Sequence, residues 1–248
     1  MRIGILKTGD LPEEMEARHG TYGDIFARFL TTADAGLKPF TIDVDGGETL
    51  PAPKSAEGWL ITGSRHGVYE DHDWLPPLEE FVRAAIADRV PLVGICFGHQ
   101  VMAQAMGGRV VKSEKGWGLG VHRYTAAGAQ VDWIAGHGGE WNGYAVHQDQ
   151  VIAPPPDAVT LAGSAFCPHA ILAYGDAAAP VALSSQPHPE YSAPFLEDIL
   201  DARLASAVPA DIVSAARAGL DTPVAGAAWG RTIAGFFRSA AARRAQAA

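Results

Sequence analysis

Val90-Pro91-Leu92-Val93-Gly94-Ile95-Cys96-Phe97-Gly98-His99-Gln100 is the stretch whose reading decides the fold. The apolar run to Ile95 reads as a buried strand. The G-x-C-x-G that follows lets the backbone turn sharply into a helix and lifts one nucleophilic side chain into a strained, exposed position. At the first helical turn the backbone dipole and its free N–H groups favour negative charge on sulfur, so Cys96 is the candidate nucleophile. Working outward, the chain before this point alternates strand and helix. Arg2 to Leu6 reads as a first strand, Tyr22 to Ala33 as an amphipathic helix and Phe40 to Val44 as a second strand. Gly58 to Thr62 is a third, Trp74 to Ala87 a helix with proline near its start, and Val90 to Ile95 the fourth strand. Strands alternating with helices imply parallel pairing, hence a doubly wound, mostly parallel open α/β sheet. After Gly107-Gly108 the spacing shortens. Val121 to Thr125, Ala145 to Ile152, Val159 to Gly163 and Ala170 to Tyr174 are strand candidates, and this half is expected to include antiparallel pairs.

A thiol nucleophile needs a base, and the base needs an orienting acceptor. His188-Pro189-Glu190 offers both at the end of the strand-like Val181 to Gln186. In an extended chain residues two apart project to one side, so Glu190 can receive the N–H of His188. Pro189 fixes its own backbone and biases His188 toward the extended region. Either motif alone has an ordinary reading, a buried thiol in a glycine turn or a surface turn. Together, one between strand and helix and the other at a later strand end, they form a Cys-His-Glu set.

In open α/β sheets ligands bind beyond the carboxyl ends of the strands, so the loop after Ile61-Thr62 should meet the elbow at one rim. Acyl transfer needs two donors for an oxyanion, and Phe97 with Gly63 or Ser64 fills those places. On its own, Gly63-Ser64 is an ordinary turn. Gln100 follows Cys96 by one helical turn and can face the same pocket. His147 either lines that pocket or is a satisfied strand histidine.

These residues resemble the class I glutamine amidotransferases. The resemblance rests on Gly94 to Gln100 and on His188-Pro189-Glu190. Ile61-Thr62-Gly63-Ser64, Ala145 to Val151 and Ser164 to Ala170 agree with it, and it covers about Ile3 to Tyr191. It implies a flavodoxin-like catalytic domain over residues 1–191, a glutamine or gamma-glutamyl substrate, and a role for Gln100 in holding the amino-acid end of that substrate. Gln186 to Tyr191 and Gly63 to Asp71 are most similar to the amidotransferase domain of GMP synthase and to gamma-glutamyl peptidases. Pro187 before His188 and Gln148 after His147 depart from that pattern beside the pocket, so they bear on the substrate.

At 248 residues with 48% hydrophobic residues, the chain can bury one large core. A net charge of −9 and no concentrated basic patch argue against a nucleic-acid surface. Met1 to Lys7 is too short an apolar run for a secretory signal or a membrane span, and only two cysteines occur, which fits a reducing cytoplasm. Cys167 is expected to be a buried structural thiol. His66, Glu70, Asp71 and His72 lie close in sequence, but no spacing matches a closed zinc site, so they read as a solvated acidic loop and no metal is assigned. Trp117 with its flanking glycines is either a loop over the pocket or core. From about Ser192 the pattern changes to helix-spaced apolar residues, Phe195 to Ala205, Ala210 to Ala218 and Val224 to Phe237. They form a helical extension, residues 192–248, that packs on the domain or offers a homodimer surface, with Ala240 to Ala248 expected to fray. No nucleotide fingerprint occurs, and no cofactor is implied. Three functions follow: a hydrolase of gamma-glutamyl amides, the ammonia-supplying subunit for a separate acceptor or synthetase enzyme, or a non-catalytic regulatory module on the same fold.

Overall fold

In the computed structural model, residues 1–127, 131–204 and 208–246 are described. The strands are β1 Arg2–Lys7, β2 Lys38–Asp43, β3 Gly58–Ile61, β4 Leu92–Ile95, β5 Arg109–Lys112, β6 Gly118–Ala126, β7 Glu140–His147, β8 Asp149–Ala153, β9 Ala158–Gly163, β10 Ile171–Tyr174 and β11 Ala182–Ser185. The helices are α1 Glu13–His19, α2 Tyr22–Ala33, α3 Leu75–Ala87, α4 Phe97–Ala105, α5 Asp132–Ala135, α6 Ala193–Ile199, α7 Ala210–Ala218 and α8 Gly226–Gln246. Nine strands form one sheet in the order β2-β1-β3-β4-β11-β10-β9-β6-β7, and β5 pairs with β8 in a second, two-stranded sheet. From β2 to β11 the pairing is parallel; from β11 to β7 it is antiparallel. This is the doubly wound α/β sheet, with the antiparallel half expected from its shorter spacing.

The two faces of the parallel half follow from strand alternation. Ile3, Ile5, Leu60, Val93 and Ile95 bury against Phe26 and Leu30 of α2 and Ile233 and Phe237 of α8. Leu6, Trp59, Ile61 and Leu92 face the other way, onto Leu78, Phe81 and Val82 of α3 and Val101 and Met102 of α4. Buried on both faces, β3 and β4 are apolar throughout, whereas the edge strand β2 is only partly buried and carries Lys38, Thr41 and Asp43. The start of α2 is set by a reciprocal capping box between Thr21 and Asp24. Helix α4 is buried nearly all round, which fits its position between the sheet, α3 and β8.

Several boundaries differ from the sequence reading. The strand expected over Ala145 to Ile152 is two strands, because at Gln148 the chain leaves the large sheet: β7 pairs with β6, and β8 turns to β5. Strand β4 begins at Leu92 rather than Val90; the carbonyl of Pro91, which has no N–H to give, accepts from Trp59 at 2.8 Å. The expected helix Phe195 to Ala205 is α6, started by a Ser192 side-chain cap, and a π-helical turn Leu200–Leu204; Ala205 lies outside the described residues. Helix α8 does not fray at Ala240. It continues to Gln246 because Ala240 is buried against the core and the Arg243 guanidinium donates to the Pro180 carbonyl at 2.8 Å. Residues 247 and 248 lie outside the described part.

Candidate active site

Strands β3, β4 and β11 are neighbours in parallel register, with Ile61 opposite Gly94 and Ser185 opposite Ile95, so their carboxyl ends share one rim. The loops that leave this rim carry Gly63, Cys96 and His188.

Cys96 sits between β4 and α4 with φ 54° and ψ −100°, one of two non-glycine residues with positive φ among those described. A side chain in that region costs about 1–3 kcal/mol and persists only where the surroundings impose it. They do so by close approach. A Cβ on Gly94 would lie 2.4 Å from the Gly98 carbonyl oxygen, and one on Gly98 would lie 2.4 Å from that of Ile61. Both glycines of the G-x-C-x-G are therefore demanded by backbone packing. The bend is fastened by Cys96 N–H donating to Ser185 O at 2.8 Å and Gly98 N–H donating to Thr62 O at 3.1 Å.

His188 meets Glu190 through Nδ1 and Oε1 at 2.7 Å, with both side chains almost wholly buried. The route differs from the one read in the sequence. Strand β11 ends at Ser185, His188 makes a single antiparallel bridge to Tyr144, donating N–H to its carbonyl at 2.9 Å, and Glu190 is reached through a turn rather than along an extended strand. Tyr191 stacks on the imidazole at 4.0 Å and 7°. Burial alone would lower the pKa of His188, but the Glu190 carboxylate and the adjacent Cys96 side chain prevail and push it up to about 10.

A Cβ built on Gly63 would stand 3.1 Å from His188 Cε1 and 3.7 Å from Cys96 Cβ, so this loop closes over these two side chains. Phe97 is the first helical residue, where no carbonyl one turn back can take the N–H. A cavity of about 410 Å³ opens here, and Ser64, Cys96, Gln100, His147, His188 and Tyr191 are among its lining. Trp117 also lines it while packing against a core cluster with Leu119 and Tyr144, so both readings of this residue hold. Arg65 and Lys112 bring positive charge to the walls, and Glu70 and Asp149 negative.

Gln100 holds its place by donating both amide hydrogens to the protein, to Asp149 O at 3.0 Å and Gln186 Oε1 at 3.1 Å. Neither bond uses its carbonyl oxygen. His147 has Nδ1 3.1 Å from Asp149 O, while Nε2 is buried with no partner in the protein. Burial pushes its pKa down to about 3, and the same cause does this to His99, whose Nδ1 meets Ser184 Oγ at 2.8 Å. Both rings are neutral near pH 7. Sequence reasoning passed over His99, whose role is local packing beneath the elbow, and Tyr69, whose hydroxyl donates to Asp149 at 2.8 Å across the cavity mouth. An exposed tyrosine in a polar loop carries no pattern that would have marked it.

The class I glutamine amidotransferase profile matches residues 27–200. The chain belongs to the class I glutamine amidotransferase family. Gamma-glutamyl peptidase 4 of Arabidopsis thaliana is 32% identical over 194 residues, 75% of this chain and 74% of that protein. Gamma-glutamyl peptidase 3 of the same plant is 31% identical over 151 residues, and that match spans 59% of its length. A GMP synthase of Edwardsiella ictaluri is 38% identical over 90 residues, which is 34% of this chain and 17% of that enzyme. A glutamine amidotransferase from Methylobacillus flagellatus has the same fold, with a TM-score of 0.72 over 96% of this chain and 94% of that one at 21% identity. Among the described residues, no helix of this class I amidotransferase is long and apolar enough to cross a membrane.

Proposed function

We propose that the protein hydrolyses the gamma-glutamyl amide of glutamine or of a gamma-glutamyl compound. The observation that carries this is the 2.7 Å pairing of His188 with Glu190 beside a cysteine held at positive φ, facing one cavity. In this reading Cys96 Sγ attacks the amide carbon. The oxyanion is held by backbone N–H groups, Phe97 on one side and Gly63 or Ser64 on the other. The C–N bond breaks as His188 gives its proton to the leaving ammonia or amine, leaving a glutamyl thioester. Water, deprotonated by His188, then attacks that thioester and releases glutamate, and Glu190 keeps the imidazole in orientation throughout. Walls bearing both Arg65 and Lys112 and both Glu70 and Asp149 suit a substrate end that carries an α-carboxylate and an α-amine. Gln100 offers an acceptor to that end, and His147, neutral and with a free ring nitrogen, a second polar contact. Residues 1–191 are the catalytic domain in this account and 192–248 a helical extension packed on it, working in a reducing cytoplasm where the thiols stay free.

Incubating the purified chain with glutamine, gamma-glutamyl dipeptides and gamma-glutamyl amines, and measuring glutamate release, tests the reading. Release from at least one class, abolished by Cys96→Ala, supports it. No release from any of them overturns hydrolysis by the chain alone. The similarity of 90 residues to a GMP synthase favours a second reading, the glutaminase subunit of a two-protein amidotransferase. Glutaminase activity that arises only with a separate acceptor enzyme distinguishes the two.

A further inference from the structure

The loop after β3 folds three metal-ligating side chains onto one point. Ligand atoms of His66, Glu70 and His72 all lie within 4.8 Å of one another. Glu70 Oε2 is 3.3 Å from His66 Nδ1 and 2.8 Å from His72 Nε2. Ligands on bonds of about 2.0–2.2 Å to a tetrahedral zinc stand roughly 3.3–3.6 Å apart, so a small adjustment of the two rings accommodates the ion. The linear spacing, which matches no closed zinc site, missed this because the turn at Gly67–Glu70 brings the residues together in space; Glu70 N–H donates to Gly67 O at 3.1 Å.

A second observation separates this cluster from a chance meeting of polar side chains. The far nitrogen of His66, Nε2, faces Asp45 Oδ1 at 3.5 Å, and Asp45 comes from a different segment, the turn after β2. A carboxylate on the outer nitrogen of a ligating imidazole is the arrangement that fixes ring orientation and raises basicity at metal centres. His72 is oriented too, stacked on Trp74 at 5.3 Å and 12°. Trp74 in turn packs edge-on against Phe97, the residue after Cys96, at 5.7 Å.

We propose that His66, Glu70 and His72 form a binding site for a divalent transition-metal ion of the zinc class at the mouth of the active-site cavity, with Asp45 as the positioning residue for His66. Three protein ligands leave the fourth position to water or to a donor atom of a bound molecule. Two of the ligands, His66 and Glu70, line the cavity itself. The site takes neutral imidazoles, so binding displaces any proton shared between the rings and Glu70.

The test is calorimetric titration of the chelator-stripped full chain with zinc, in a Cys96→Ala background so that this thiol cannot bind the ion. One equivalent is expected to bind. His66→Ala and His72→Ala should each weaken it at least tenfold, and Asp45→Asn by about 10- to 100-fold, the range typical of lost outer-shell partners. Cobalt in place of zinc should give visible d–d bands of four-coordinate intensity with no sulfur charge-transfer band. Circular dichroism of each variant checks that the fold persists. No zinc binding to the Cys96→Ala chain, or binding undiminished in the folded His66→Ala/His72→Ala double variant, overturns the site.

Discussion

Cys96 and Cys167 are both free and almost fully buried, with 5% and 1% of their surface exposed, and neither number says which one reacts. Their surroundings do. Cys167 closes the hairpin between β9 and β10, where Ser164 and Cys167 exchange hydrogen bonds at 2.8 and 2.9 Å, and burial pushes its thiol up to about 12. At neutral pH it is a small apolar plug. Cys96 has a cavity in front, an imidazole beside it and a helix N-terminus beneath it. In the proposed function, reactivity comes from the elbow and not from the residue type.

The sharpest way to break this comparison is to remove each sulfur in turn. Cys96→Ala should abolish glutamate release, a fall of about 10³-fold or more, with a melting temperature near that of wild type. Cys167→Ala should keep its turnover and lose about 1 kcal/mol of stability through the small cavity it leaves. Iodoacetamide on the native protein, mapped by mass spectrometry, should label Cys96 and spare Cys167 until the chain unfolds. Labelling of Cys167 with Cys96 untouched would reverse the assignment.

The next test separates base from orienter. His188→Ala should lower turnover by about 10²- to 10⁴-fold and Glu190→Gln by less, because the carboxylate acts only through the ring. Linkage gives a second readout with a definite sign. A ring whose native pKa is about 10 contributes stability that is fully present below pH 6.5, the unfolded value, and is lost as pH rises from there through 10. Glu190→Gln removes one of the groups that raise it, so the stability gap between wild type and variant should shrink over that window. A gap independent of pH would mean that the ring is not held protonated.

How much of this was legible in sequence divides along the same line. The elbow could be read because its two glycines, the apolar strand before them and the cysteine are one contiguous stretch, in which close backbone approach demands both glycines. His188 and Glu190 were readable as a pair, though the geometry that joins them is a turn and a bridge to Tyr144 rather than a strand. Partners supplied from afar were not readable. Gln186 and the Asp149 carbonyl fix Gln100 from 86 and 49 positions away, and Asp45 backs His66 across 21 positions of chain. Strand β5 was missed because four residues with no clear alternation pair only with β8, in a sheet created by the chain's departure at Gln148. The extent of α8 was missed because its anchor, the Pro180 carbonyl, is 63 residues from Arg243.

Both cysteine regions lean on a glycine with no room for a methyl group, and this refines the comparison. A Cβ on Gly98 meets Ile61 O at 2.4 Å, and one on Gly163 meets Pro168 O at 2.1 Å. Backbone oxygens cannot swing aside. Gly98→Ala and Gly163→Ala should each cost about 1–3 kcal/mol by denaturant melt. Turnover per folded molecule should fall only in Gly98→Ala, because only that shift displaces the nucleophile. Equal loss of turnover in both would show that the hairpin of Cys167 is part of the reactive geometry.

The smallest expected effect concerns the histidines of the two regions at low pH. His99 beneath the elbow has its pKa pushed by burial to about 3, whereas an unfolded histidine titrates near 6.5. Between those values the unfolded chain binds a proton that the native ring refuses, so stability rises with pH there and is lost as pH falls, by up to about 1.4 kcal/mol per pH unit for this residue. His169, beside Cys167, is shifted down by the same cause but is much less enclosed, and Thr160 Oγ1 meets its Nδ1 at 2.8 Å. Glutamine at position 99 can keep the contact to Ser184 and cannot titrate. His99→Gln should therefore flatten the slope of unfolding free energy against pH between about 4 and 6 by close to one proton's worth, and His169→Gln by clearly less. Carboxylates contribute to the slope in every variant and cancel in these differences. An unchanged slope in His99→Gln would mean that the native ring takes up its proton, which requires water to reach the floor of the elbow, and the dry frame that distinguishes Cys96 from an ordinary surface thiol would have to be given up.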